Sequence, residues 1–195
     1  MILIDKLQSY NVVLASKSPR RQELLSGMGI SFSVITKDVE ENYPMEMPVD
    51  DVPAFLSKQK SMAFSDTDLP EKYLLITADT LVMAETEILG KPKDRDDALR
   101  MMHVLSGKAH HVVTGVTVRT AAKSKTFAVK SKVRFAKLDE DEMAFYIDHY
   151  KPYDKAGAYG IQEWIGYVGI SGLSGSFYNV MGFPTCKLYE VLKSF

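Results

Sequence analysis

Short buried-strand signals that hand over directly to polar loops constrain this chain more than any other feature. Val12-Val13-Leu14-Ala15 is an apolar run of strand length, and Ser16-Lys17-Ser18-Pro19-Arg20-Arg21 follows it at once. Leu24, Leu25 and Met28 then recur at helical spacing, so the segment reads as strand, loop and helix. Ser18 is a capping residue type, and Pro19 suits a first helical turn, where its missing N–H costs nothing. Gly29 is a C-terminal stop.

The same alternation continues. Phe32 and Val34 alternate as in a strand and precede an acidic loop, Asp38-Val39-Glu40-Glu41. A helix is expected from about Pro53, with Phe55, Leu56, Met62 and Ala63 facing inward. Tyr73 to Thr77 reads as a buried strand leading into Ala78-Asp79-Thr80, and Leu81 to Leu89 as a strand pair turning near Glu85-Thr86. Gly90-Lys91-Pro92 ends that pair. Asp94 caps a helix carrying Leu99, Met102 and Leu105, stopped by Gly107. His110–Arg119 and Thr126–Leu138 are β-rich, and Asp139 with Glu142 resembles a capping box for a helix through Tyr150. Gly and Ser dominate from Gly157 to Gly182, and Pro184 opens a last helix with Leu188, Val191 and Leu192 inward. Mixed helices and strands give α/β or α+β as the class.

Composition removes several classes of function. The chain has 195 residues, and its 24 basic and 25 acidic side chains nearly cancel, which disfavours stable nucleic-acid binding. The single cysteine, Cys186, excludes an internal disulfide and a cysteine zinc cluster, and reads as a packing residue on the last helix. Met1-Ile2-Leu3-Ile4-Asp5-Lys6 lacks a signal-peptide run, and no stretch has bilayer-spanning length, so no membrane role and a cytoplasmic location are expected. There is no P-loop, no Gly-x-Gly-x-x-Gly after a strand and no His-Glu-x-x-His. His110 and His111 adjoin on a strand and so face opposite ways. Met101-Met102 and the aromatic residues read as core.

The candidate chemistry lies where strands end. A helix N-terminus offers unpaired N–H groups that attract phosphate, and Ser16, Ser18, Arg20 and Arg21 add hydroxyls and charge beside it. A well-capped helix with two solvated arginines fits the same residues. Asp79 ends an apolar run, where a carboxylate can bind Mg²⁺ or orient water, although Asp before Thr more often serves a turn. Glu41 could add a second oxygen ligand, or simply be solvated. Lys60 and Lys91 could neutralise polyphosphate oxygens as point charges, and Lys155 sits among small residues in Asp154-Lys155-Ala156-Gly157.

Taken in order, these segments resemble the Maf family of nucleoside triphosphate pyrophosphatases. The resemblance rests on Leu14-Ala15-Ser16-Lys17-Ser18-Pro19-Arg20-Arg21, Ala78-Asp79-Thr80-Leu81-Val82 and Gly90-Lys91-Pro92. It continues with Leu105-Ser106-Gly107, His110, Thr114-Gly115 and Asp154-Lys155-Ala156-Gly157-Ala158-Tyr159-Gly160-Ile161-Gln162. It implies an elongated, mixed-sheet α/β fold related to the inosine triphosphate pyrophosphatases and often dimeric. Residues 1–195 would form one Maf-like domain, with two lobes around a central cleft as a further expectation. It also implies a divalent cation, Mg²⁺ or Mn²⁺, and hydrolysis of a nucleoside triphosphate to the monophosphate and pyrophosphate.

Lys155 to Gln162 looks like the subgroup acting on dTTP and UTP rather than its sister acting on 7-methyl-GTP. Asp79 matches the family's catalytic acid/base, and Arg20, Thr80 and Gln162 match base-selecting positions. Ser16, Arg21, Glu41, Lys60, Lys91 and Lys155 match phosphate- or metal-associated positions, with Glu41 and Asp79 as the metal ligands. Glu163-Trp164 departs from the glycine common in relatives after this glutamine. The alternatives are a 7-methyl-GTP pyrophosphatase and a non-catalytic nucleotide- or nucleic-acid-binding regulator of cell division.

Overall fold

The N-terminal strand, loop and helix form where the residue pattern puts them. In a computed structural model of the protein, which describes residues 2–85 and 87–195, a short helix α1 (Leu3–Leu7) precedes β1 (Asn11–Leu14) and α2 (Pro19–Gly27). Ser18 is the N-cap of α2, but its side chain makes no capping bond. The Ser18 N–H instead donates to Ser16 Oγ at 3.2 Å. Gly29 supplies the left-handed turn (φ +73°) that ends this unit of structure.

β2 (Ser33–Val34) follows, then a 3₁₀ turn (Val49–Asp51), α3 (Val52–Met62), β3 (Tyr73–Ala84) and β4 (Glu87–Leu89). Next come α4 (Arg95–Leu105), β5 (Ala109–Arg119), β6 (Ser124–Phe135) and α5 (Glu140–Tyr150). The chain ends with α6 (Trp164–Gly169), β7 (Ile170–Ser174), α7 (Phe177–Met181) and α8 (Thr185–Leu192). Among the described residues one seven-stranded sheet has the order β2-β1-β3-β5-β6-β7, with β4 paired to β3. β2 and β3 run parallel to β1, while β4 and β7 are antiparallel to β3 and β6, so the class is α/β with a mixed sheet. Among the described residues no helix is long and apolar enough to cross a membrane.

The chain divides into two compact units, residues 1–79, 114–129 and 182–195 in one and 80–113 and 130–181 in the other. In the first, Val13, Phe64, Leu69, Tyr73 and Leu75 form an apolar cluster with Ala15 and Ile35 against it. α3 meets β5 very closely there: a Cβ on Gly115 would lie 2.1 Å from the Pro53 carbonyl carbon. Small hydroxyl residues complete that contact. Ser57 Oγ pairs with Thr117 Oγ1 at 2.9 Å, and Thr77 Oγ1 donates to the Ser57 carbonyl at 2.6 Å. In the second unit α4 packs on α5, and Met102, Leu105, Phe135 and Tyr146 are fully buried.

Several expectations are corrected. β3 does not end at Thr77; it runs on through Asp79 to Ala84, and it is its parallel neighbour β1 that stops at Leu14. The expected strand pair is present as β3 and β4, with Ala84 opposite Glu87 and Glu85 in the left-handed region (φ +53°), and Thr86 lies outside the described residues. Phe55 and Met62 do not face inward: they are 37% and 69% exposed. The buried face of α3 is Val52, Pro53, Leu56, Ser57 and Ser61, and helical spacing from these residues turns Phe55 and Met62 to the opposite side. Cys186 is exposed rather than packed. Tyr167 and Tyr178 are exposed, so the aromatic residues are not uniformly core. The Gly/Ser-rich stretch holds α6, β7 and α7, none of which its composition suggested.

His110 is buried and His111 only partly so, as alternation requires. His110 Nε2 pairs with Tyr159 Oη at 2.7 Å, and its ring stacks on Phe135. Burial, with a smaller push from His111, lowers His110 from the ordinary 6.5 to about 4.

Two outcomes are expected. Gly115→Ala should cost about 1–3 kcal/mol by overpacking in urea unfolding, while Gly90→Ala, with open space around it, should be near neutral. Because folded His110 binds its proton less readily than the unfolded chain, its contribution is complete above about pH 6.5 and is lost as pH falls toward about 4. Wild type should therefore lose up to about 3 kcal/mol more than His110→Gln across that window, read by urea unfolding at each pH.

Candidate active site

The helical stripe that buries Val52 and Leu56 continues one turn later to Lys60. Its side chain thereby lies on the inner face of α3, not in open water. Lys60 Nζ donates to Asp79 Oδ1 at 2.6 Å and approaches Glu41 Oε1 at 2.7 Å. Asp79 is 7% exposed on β3, whereas Glu41 is exposed on a segment without regular secondary structure. One ammonium thus holds two carboxylates together, one rigid and buried, one on a solvent-facing loop.

Arg21 braces the same region. Its Nε donates to the Gly182 carbonyl at 2.9 Å and its Nη1 to the Ala78 carbonyl at 2.9 Å, with Ser16 Oγ at 3.4 Å. The guanidinium fork therefore ties the residue before Asp79 to the first turn of α2 and to the Gly182 turn. Burial pushes Arg21 below its ordinary value, Asp79 pulls it back, Arg20 pushes it down again and Glu41 raises it. It stays charged at neutral pH all the same. Ser16 is buried, and Arg20 is partly buried on the first turn of α2. Five of the expected residues, Ser16, Arg21, Glu41, Lys60 and Asp79, are thus joined in the first unit.

In the second unit the Gly90 carbonyl accepts from the Gly157 N–H at 3.0 Å, which joins the Lys91 turn to the loop that carries Lys155. Lys91 is exposed, and Thr80 is partly buried on β3. Lys155 is 8% exposed, and its Nζ lies 2.8 Å from Asp154 Oδ1 and 3.1 Å from Glu163 Oε1. Glu163 Oε2 accepts from the Tyr146 hydroxyl, and that hydroxyl accepts from the Gly160 N–H at 2.9 Å. Burial and then Glu163 push the Tyr146 phenol upward, so it is a donor at any ordinary pH. Gln162 is partly buried, and its Oε1 is a buried acceptor with no hydrogen-bond partner.

Sequence reasoning placed Lys155 as a phosphate-associated lysine and did not see Tyr146. Tyr146 lies on α5 and nothing local links it to position 163, and the pairing of Lys155 with Glu163 was equally hidden. The Gly182 carbonyl was also missed; a glycine two residues before Pro184 was the available signal.

Asp79 Oδ1 and Glu41 Oε1 are hard oxygen donors of the kind a divalent cation takes, and here both converge on the Lys60 ammonium. Among the described residues no three His, Cys, Asp or Glu side chains converge. Mg²⁺ is commonly held this way, by one or two carboxylates with substrate phosphates and water completing the shell.

This geometry, a buried carboxylate paired with an ammonium just beyond the end of β1, places charged chemistry at the carboxyl edge of the parallel strand pair of an α/β protein. Residues 11–195 match the family described as Maf-like protein, and the chain belongs to that family. It is 52% identical over 192 residues to the dTTP/UTP pyrophosphatase of Bacteroides fragilis, covering 98% of this chain and 99% of the relative. It is 48% identical over 194 residues to the dTTP/UTP pyrophosphatase of Parabacteroides distasonis, covering 99% and 100%. The fold is similar to that of the Staphylococcus aureus Ham1 protein, with a TM-score of 0.54 at 14% identity, covering 94% of this chain and 98% of that one.

If Lys60 and Asp79 form a working pair, Lys60→Met and Asp79→Asn should be coupled. A double-mutant cycle by urea unfolding should give about 1–3 kcal/mol of interaction, and additive effects would remove the pair from the account.

Proposed function

We propose that this protein is a nucleoside triphosphate pyrophosphatase that converts dTTP and UTP to the monophosphate and pyrophosphate. The observation that carries the reading is the Lys60 ammonium gripping Asp79 and Glu41 beside the Arg21-braced loop. Full-length relatives named dTTP/UTP pyrophosphatase support it. The reading takes residues 1–195 as one functional domain. It includes cytoplasmic residence and homodimer formation, the latter checked by light scattering.

The reaction needs an in-line water and neutralisation of the triphosphate charge. Asp79 would accept a proton from the water that attacks the α phosphorus. As the new O–P bond forms, the bond from that phosphorus to the α–β bridging oxygen breaks, and pyrophosphate leaves. Lys60 would hold the Asp79 carboxylate in position while opposing the phosphate charge. Arg21 would fix the strand that carries Asp79 through the Ala78 carbonyl. Ser16 in the first unit, and Lys91 and Lys155 in the second, are each proposed as phosphate-associated residues. Mg²⁺ or Mn²⁺, held by Asp79 and Glu41, would supply further charge neutralisation.

In the second unit Gln162 and Thr80 are proposed to read the base. An amide both donates and accepts, which matches the edge of uracil or thymine. Its partnerless buried oxygen supports that role, because an unpaired buried acceptor costs about 1–3 kcal/mol unless a ligand satisfies it.

Pyrophosphate release should be fastest with dTTP and UTP in a panel including 7-methyl-GTP, and EDTA should stop it. Asp79→Asn should lower kcat by at least about 10²-fold without loss of the folded circular-dichroism spectrum. No release from any nucleotide by folded wild-type protein would overturn the reading.

A further inference from the structure

We infer that Glu163, acting with the Tyr146 hydroxyl, is a positioning residue that sets how strictly the Gln162 amide selects its base. The inference rests on the pyrophosphatase reading and deepens it.

Glu163 directly follows Gln162, and both of its carboxylate oxygens are engaged. Oε1 faces the buried ammonium of Lys155 at 3.1 Å, and Oε2 accepts from Tyr146, whose oxygen in turn accepts the Gly160 N–H at 2.9 Å. The carboxylate is thereby anchored at two points that come from different elements, α5 and the loop at Lys155. The link to Gln162 runs over Gly160. A Cβ built there would meet Glu163 Cδ at 2.9 Å, Gln162 Nε2 at 3.0 Å and Glu163 Oε2 at 3.0 Å. The ends of both side chains thus pack on the one bare face that glycine leaves open. With Glu163 fixed from two sides, the Gln162 amide has its lateral position limited while its Oε1 remains without a partner.

A selective amide must be held before the base arrives. A uracil or thymine edge presents a carbonyl and an N–H, and a cytosine edge presents an amine and a bare nitrogen. An amide free to turn over could satisfy both. One fixed in orientation leaves buried groups unpaired against the wrong base, and such mismatches give large discrimination. Glu163 also offsets the Lys155 charge together with Asp154, so Lys155 acts here as much to orient the loop as to attract phosphate.

The test is the ratio of kcat/KM for dTTP over dCTP in wild type, Glu163→Ala, Tyr146→Phe and the double variant. Tyr146→Phe removes a single hydroxyl, so it keeps the test open should Glu163→Ala fail to fold. We expect each single variant to lower the ratio by about 10-fold or more, mainly through better use of dCTP and a raised KM for dTTP, with kcat for dTTP within about threefold. The double variant should lose no more than either single one, since both act through one chain of contacts. Glu163→Gln, which keeps an acceptor for Tyr146, should recover part of the ratio. An unchanged ratio in folded, active variants would overturn the inference alone, as would an equal loss of kcat on both nucleotides. A wild type that releases pyrophosphate from neither would overturn the function reading and this inference with it.

Discussion

The closeness of α3 to the sheet governs the rest of the first unit. Gly115 lets the start of α3 approach within the space a side chain would need, and Ser57 then hydrogen-bonds across to Thr117 and Thr77. Phe55 and Met62 lie on the far side of that helix. On its near side the docked helix brings a long side chain, Lys60, within reach of Asp79. A helix one layer further out would leave that lysine in water and the buried aspartate without its partner. Packing and charge placement are therefore one problem here, solved by a glycine and three hydroxyl residues.

Charge compensation follows the same logic in each unit, with different consequences. In the first, one lysine serves a buried and an exposed carboxylate, so the exposed member, Glu41, is the one able to exchange its partner. Arg21 is spent on main-chain carbonyls, where its planar fork fixes geometry in a way a lysine could not. In the second unit the lysine itself is buried, and Glu163 holds it while leaning on Tyr146. Burying an ammonium is costly unless it is paired, so the pairing is a condition of the loop's shape.

Elements bounded by strong local signals were legible in the sequence. The cap at Asp94 accepts from the Asp97 N–H at 2.9 Å, and the Asp139–Glu142 box closes as the residue types indicate. The stops at Gly29 and Gly107 both adopt positive φ. Where local signals were weak the reading failed: Gly and Ser in 157–182 disguise two helices and a strand, because their elements are held by neighbours rather than by propensity. The inner face of α3 follows its helical spacing, which sets Phe55 and Met62 opposite Ser57 and Ser61, and apolar character alone does not mark that face. Asp79 reads in the sequence as the end of a strand; what ends there is the neighbouring strand.

By itself the sequence determined the mixed α/β class, most helix boundaries, and the ordered motifs that mark the Maf family, because caps, stops and apolar runs act over a few residues. It also named the chemically equipped residues, since a carboxylate, an ammonium or an amide has its chemistry wherever it is placed. Only the tertiary structure decided which of them meet. Lys60 joins Asp79 across 19 positions, Arg21 reaches Gly182 across 161, and Tyr146 holds Glu163 across 17. Those partnerships depend on how closely helices approach strands, a quantity set by packed volume and invisible to any local window.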